Sequence, residues 1–323
     1  MTAPTYQPSG RIPRAGLHAL GVAALAAAGS ALVYAWLMAY VRPAVGPDTG
    51  YLLTLFALLG VGISMYIFAY RAATAGKIRN PAWMGRAGAA LGLLAWYVQW
   101  AAYIVMDGMR ASGDGLGFPA LEFVARLCLR PGAMFDWAFT IPLIDTSVFT
   151  QFGLVFCWLL EFCVYVVPPM LAGRKRAGMP FCEAGKQWAK EIEVEIDFEP
   201  FADPEAAQRL LEAEPGRFAS MLVPRAHAAV GSHTRVTLYL WAGPESFITI
   251  AHLERKPVET VPMPPEVVGA MAAGAPDAEC YTAQTIVERL RVPLPDADAL
   301  LSRWSGASQT ESERSPGPVL AKH

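Results

Sequence analysis

Glu161 has the most chemistry to offer of any residue in this chain. It lies inside an apolar run, flanked by Trp158, Leu159, Leu160 and Phe162. A charge in such a run costs about 2.5–3.5 kcal/mol on insertion scales, so an ionisable group there has a partner or a purpose. Two chemistries fit it. The carboxyl takes a proton or cation, or it stays neutral and bonds Gln99, Tyr97, Tyr103 or a backbone carbonyl, locking two helices together. A second constellation is Trp96, Tyr97, Gln99, Trp100 and Tyr103. Positions 96, 99, 100 and 103 share one face of a helix. That face lines an aromatic cavity for a lipid, quinone or other apolar ligand, or it packs and forms an interfacial belt near Asp107.

Other chemistry is poorly supported. There is no GxSxG elbow, phosphate-binding glycine loop or dinucleotide fingerprint. His227, His233 and His252, with Glu254 close behind, do not have a zinc-finger spacing. Cys128, Cys157, Cys163, Cys182 and Cys280 form no CxxC pair. An odd, unpatterned set reads as reduced thiols, neither a disulfide frame nor a metal centre. The expectation is a non-enzymatic protein with no cofactor and no metal.

The elements that position these side chains are four apolar runs. Between Arg14 and Arg42, Asp48 and Arg71, and Arg86 and Asp107 there is no charged residue; between Asp145 and Arg174 there is only Glu161. A helix of about 20 such residues crosses the hydrocarbon core of a bilayer. Spans are expected near 16–41, 50–70, 86–106 and 150–172, forming a membrane all-α four-helix bundle over 16–173. The first run, followed by others, reads as a retained helix and not a cleaved signal. Its small residues, Gly21 and Gly29 around Leu25 and an alanine run, permit close helix contact. Pro168-Pro169 is expected to end or kink the fourth span before Arg174. Residues 107–149 read as an extracytoplasmic cap: Pro119 opens a short helix with Glu122, Arg126 and Arg130 on one face. An aromatic stretch, 134–139, follows it.

Composition agrees with a half-membrane chain: 54% of the 323 residues are hydrophobic. Residues 1–173 hold 10 of the 26 Lys/Arg and 7 of the 28 Asp/Glu, so the remainder is net acidic and unsuited to nucleic acid. Lys and Arg concentrate in the 71–86 loop and at Arg174-Lys175-Arg176, which by the positive-inside rule puts both termini in the cytoplasm.

From 177 the pattern is that of a small cytoplasmic α+β domain ending near 304. Ile192, Val194, Ile196 and Phe198 alternate with acidic residues as a strand does. Pro204 opens a helix to about Glu214. Strands at 234–241 and 246–254 form a hairpin. Residues 258–263 read as a further strand candidate, and 277–291, capped by Asp277, read as a helix. Residues 1–15 are expected to be flexible and 305–323 disordered.

The stretch Trp158-Leu159-Leu160-Glu161, followed by Pro180-Phe181-Cys182-Glu183 and then Trp188, resembles a set of uncharacterised bacterial inner-membrane proteins. Those have a short helical bundle, a Trp/Leu/Glu last span and a Pro-Phe-Cys-Glu junction to a cytoplasmic domain. The likeness covers about residues 150–190. It implies location in a bacterial inner (cytoplasmic) membrane, multi-pass, with Cys182, Glu183 and Trp188 marking the junction. In that pattern a second cysteine stands three residues after the first, where this chain has Gly185.

Three functions follow as expectations. The first is a membrane-anchored module presenting its tail domain to a protein partner, or for sensing. The second is a small channel or transporter subunit, completed by a homo-oligomer, with Glu161 as the proton or cation site. The third is lipid or quinone handling.

Overall fold

The computed structural model describes residues 5–113, 118–137, 148–183, 185–194, 196–225, 231–240, 245–255, 281–293 and Trp304. The chain divides into two compact units, Pro8–Met179 and a second made of Met1–Gln7 with Pro180–His323.

The first unit is helical. α1 is Arg14–Trp36 and runs on through a π-helical turn, Leu37–Val41, to Ala44. α2 is Pro47–Ala75 and α3 is Pro81–Ser112. α4 (Phe118–Cys128) and α5 (Pro131–Phe135) are short, and α6 is Val148–Ala177. Four of these segments are long and apolar enough to cross a membrane: Arg14–Ala44, Pro47–Ala75, Pro81–Ser112 and Val155–Ala177. α1 packs on α2 and α3, and α6 packs on the same two, so the bundle is a square with α2 and α3 on one diagonal. Its outward faces carry Leu25, Phe56, Phe152 and Leu159, all exposed. Such broad apolar exposure suits lipid and not water.

Charge divides the bundle by its ends. One end gathers Arg11, Arg14, Arg71, Lys77, Arg79, Arg86 and Arg174–Arg176 without an acidic residue. At the other, the cap end, Arg42, Arg110, Arg126 and Arg130 are offset by Asp48, Asp107, Glu122 and Asp136. There α4 and α5 seat Val124 and Met134 against Ala35, Ala39, Ala101 and Ile104.

Small residues set the helix spacing, though not where the first span suggested. Gly21 and Gly29 face open space, whereas α1 turns Ala23, Ala27 and Ala31 inward. The close approach is between α3 and α6. A Cβ on Gly92 would run into the Tyr165 carbonyl, and one on Gly88 into the Pro169 carbonyl. Pro168 and Pro169 sit inside α6, which continues past them to Ala177, so of the expected end or kink the helix end is not found there. The prolines release the carbonyls of Val164 and Tyr165, four residues earlier, from helical bonding. Gly62 and Gly92 bring neighbouring backbone against those two turns. Neighbouring helices make such prolines tolerable in an apolar setting.

The second unit opens with a two-stranded hairpin, β1 (Phe181–Cys182) with β2 (Gln187–Trp188). A four-stranded antiparallel sheet follows in the order β3 (Lys190–Glu193), β4 (His233–Leu240), β5 (Glu245–Arg255), β6 (Tyr281–Pro293). Ile192, Leu238, Ile248 and Leu290 align across it. α7 (Pro204–Ala213), capped by the Asp203 side chain, and α8 (Phe218–Met221) cover one face. Ala207, Leu211, Phe218, Phe198 and Trp304 close the core there.

β6 replaces the helix expected at 277–291. Two bulges explain the misreading: Ile248 faces Leu290, Ile250 faces Val287 and Ala251 faces Thr285. The extra residues shift Ile286, Val287 and Leu290 out of strict alternation and into a helix-like spacing. Arg289, at one bulge, takes a left-handed φ of 51°. The expected strand at 192–198 is shorter, although Phe198 still bridges Thr234. The expected strand at 258–263, the cap Asp277 and the tail from 305 lie outside the described residues. At the start of the chain, Thr5 bridges Leu290 and the Tyr6 N–H donates to the Arg289 carbonyl at 2.9 Å. Tyr6 stands edge-on to Phe247 at 5.3 Å. These residues, placed in a flexible lead-in by the sequence reading, pair on the β6 edge.

Candidate functional site

The alanine face of α1 ends in Tyr34, 3% exposed, and delivers its hydroxyl into the bundle. Trp96 and Trp100, one turn apart on α3, bring two indole N–H groups from another side. All three come within hydrogen-bonding reach of the Glu161 carboxyl on α6. Polar groups from two other helices therefore surround it.

Aromatic rings close around it. Trp96 meets Phe162 at 5.3 Å and Trp100 meets Trp158 at 6.2 Å, both edge to face. Tyr165, one turn beyond Glu161 and fully buried, meets Tyr34 at 6.2 Å and 78°. Such pairs add about 0.5–1.5 kcal/mol each beyond their buried area. Tyr103 stands edge-on to Trp100 at 6.0 Å and continues the string towards the cap end.

Of the residues singled out from sequence, Glu161, Trp96, Trp100 and Tyr103 thus share one neighbourhood. Tyr97 does not: its hydroxyl donates to the Cys128 carbonyl at 2.9 Å and ties α3 to α4. One residue on from Trp96, it points about 100° round the helix. Gln99 is 3% exposed, and its side-chain oxygen has no hydrogen-bond partner among the described residues. The partners expected for Glu161 were Gln99, Tyr97, Tyr103 or a backbone carbonyl; the side chains within reach of its carboxyl are Tyr34, Trp100 and Trp96. The missed signals were Tyr34, the polar end of an alanine stripe with four-residue spacing, and Tyr165, one turn from Glu161.

The junction residues form a separate feature. Phe181 and Trp188 pair across the β1–β2 hairpin, their rings 5.0 Å apart. In the intervening turn the Gly185 N–H donates to the Cys182 sulfur at 3.3 Å. Glu183 follows Cys182 in that turn. A Cβ at 185 would lie 3.5 Å from that sulfur. The turn would thus bring two cysteines together, but here it holds only Cys182.

The histidines are divided by the sheet. His233 faces Leu253 and His252 faces Thr234, so the two point to opposite faces. His233 instead sits 3.6 Å from Asp197. His227 lies outside the described residues. Among the described residues no three His, Cys, Asp or Glu side chains converge on a metal position.

Comparison with family models, curated proteins and solved structures finds no match for this chain.

Proposed function

We propose that this protein is a multi-pass membrane anchor that holds its α+β domain at one membrane face and presents it to a protein partner. The observation that carries this reading is the construction of the second unit. It has its own core, and the first residues of the chain occupy its β6 edge. The pairing of Thr5 and Tyr6 with β6 puts the start of the chain on the domain's side, which supports an arrangement with both in the cytoplasm of a bacterial inner membrane. The concentration of Arg and Lys at one end of the bundle supports the same orientation.

At the opposite edge, β3 pairs only with β4 among the described residues. Beside it a notch of about 380 Å³ is lined by Glu193, Val194, Asp197 and Arg235. Open strand edges accept extended segments from other chains, with main-chain bonds giving affinity and neighbouring pockets giving selectivity. The Arg235–Glu193 pair, 3.1 Å apart and half exposed, offers both charges to such a segment. In this account Glu161 is an interhelical lock. The test is co-purification from mild detergent: Arg235→Glu should release a partner that Glu161→Gln retains.

A second reading, a proton or cation site at Glu161, is favoured by the carboxyl's place in a string that reaches a cap-end cavity through Tyr103. It requires Glu161→Gln to abolish flux in liposomes. The aromatic face of α3 gives less support to quinone or lipid handling, because Trp96 and Trp100 pack edge to face against α6.

A further inference from the structure

Where α1 passes into α2, the helical unit opens a cavity of about 410 Å³ at the cap end. Its wall includes Arg42, Tyr51, Tyr103, Asp107 and Arg110. We propose that this cavity binds the phosphoryl oxygens of a small anionic ligand, with Arg42 as the principal contact. The site is independent of the anchor reading.

The charges decide the ligand's sign. Asp107 is engaged by Arg110 at 2.7 Å, so that pair is neutral. Arg42 has no carboxylate partner among the described residues; its guanidinium lies 5.9 Å from the centre of the Tyr51 ring. Asp48, in the first turn of α2, does not line the cavity, so Arg42 is the one charge of the wall without a carboxylate partner there. A guanidinium presents a planar fork that matches two oxygens of a phosphate better than a point cation does.

The backbone is shaped for this. The π-helical turn at Leu37–Val41 comes immediately before Arg42 and resets the direction of the residues that follow. Such turns inside α-helices are frequent at functional sites. Gly46, with φ of 81°, lets the chain reverse into α2. At Gly50 a Cβ would lie 3.2 Å from the Arg42 side chain, so glycine keeps the wall clear.

The same chemistry has two sources. A phospholipid headgroup would sit at the mouth while its chains lie along the exposed Leu52, Leu55 and Phe56 of α2. Free phosphate would use the cavity alone.

The test uses full-length protein in dodecyl maltoside, with thermal unfolding followed by tryptophan fluorescence. Dioleoyl phosphatidylglycerol is compared with dioleoylglycerol, and sodium phosphate with sodium chloride at equal ionic strength. A rise in Tm with the phospholipid but not the diacylglycerol, weakened roughly tenfold by Arg42→Gln, supports the site and assigns it to a headgroup. An Arg42-dependent rise with phosphate alone supports it and assigns a soluble anion. Arg42→Lys keeps the charge without the fork; it serves if Arg42→Gln does not purify as monodisperse protein, and is expected to weaken binding less. No rise with either ligand, or equal rises in wild type and variants, overturns the proposal.

Discussion

Replacing Glu161 with glutamine or with leucine asks two different questions of one position. Glutamine keeps an acceptor for Tyr34, Trp96 and Trp100, so unfolding in detergent should change by no more than about 1 kcal/mol. Leucine leaves those donors facing an apolar group, and each buried donor left unmade costs about 1–3 kcal/mol. Equal stability of the two variants would remove the lock. At the junction, Gly185→Cys should create an oxidisable pair with Cys182, because position 185 already abuts that sulfur. Thiol titration before and after mild oxidation would show the loss of two free thiols in the variant; retention of both would count against the turn geometry. Glu161 was legible in the sequence because a lone carboxylate stands out in an apolar run. Its partners were harder to read, since Tyr34 lies some 127 residues away in an alanine-rich helix. No periodicity in α6 reveals which helix packs opposite.

Among the elements, the α3–α6 seam and the β6 strand carry the clearest consequences. Gly92→Val pushes a side chain into the Tyr165 carbonyl and should destabilise the bundle by about 1–3 kcal/mol or more. Gly29→Val, where nothing lies within 4 Å, should be tolerated. Thermal unfolding of the two side by side checks the contrast. In the sheet, burial first and the nearby Glu191 second raise the Tyr239 phenol above its ordinary value. The folded state therefore favours the protonated form, and the sign follows. This contribution is intact below about pH 10, the unfolded value, and is lost as pH climbs through the raised folded value. Tyr239→Phe should flatten the alkaline loss of sheet stability, measured by circular dichroism between pH 8 and 11. The four long helices were readable from charge-free length, and the β4–β5 hairpin from alternation. β6 was not, because its bulges break the period that identifies a strand.

For the whole molecule, the account makes one topological demand. If Thr5 and Tyr6 pair on β6, the N-terminus and the α+β domain must occupy the same side of the membrane. Deleting residues 2–7 should speed amide exchange along β6 while leaving the β3–β4 pairing protected. The two-part organisation was visible in the sequence as a change from charge-free runs to alternating acidic strands near 177. The clasp at the start of the chain was not, since residues 1–15 are polar and carry no period. The central claim is that this domain is displayed for a partner, and affinity purification of the full-length protein from mild detergent tests it most directly. The account predicts a second protein in fixed proportion, retained with Glu161→Gln and lost with Arg235→Glu. A homo-oligomer with nothing else bound, and with ion flux in liposomes abolished by Glu161→Gln, would contradict it.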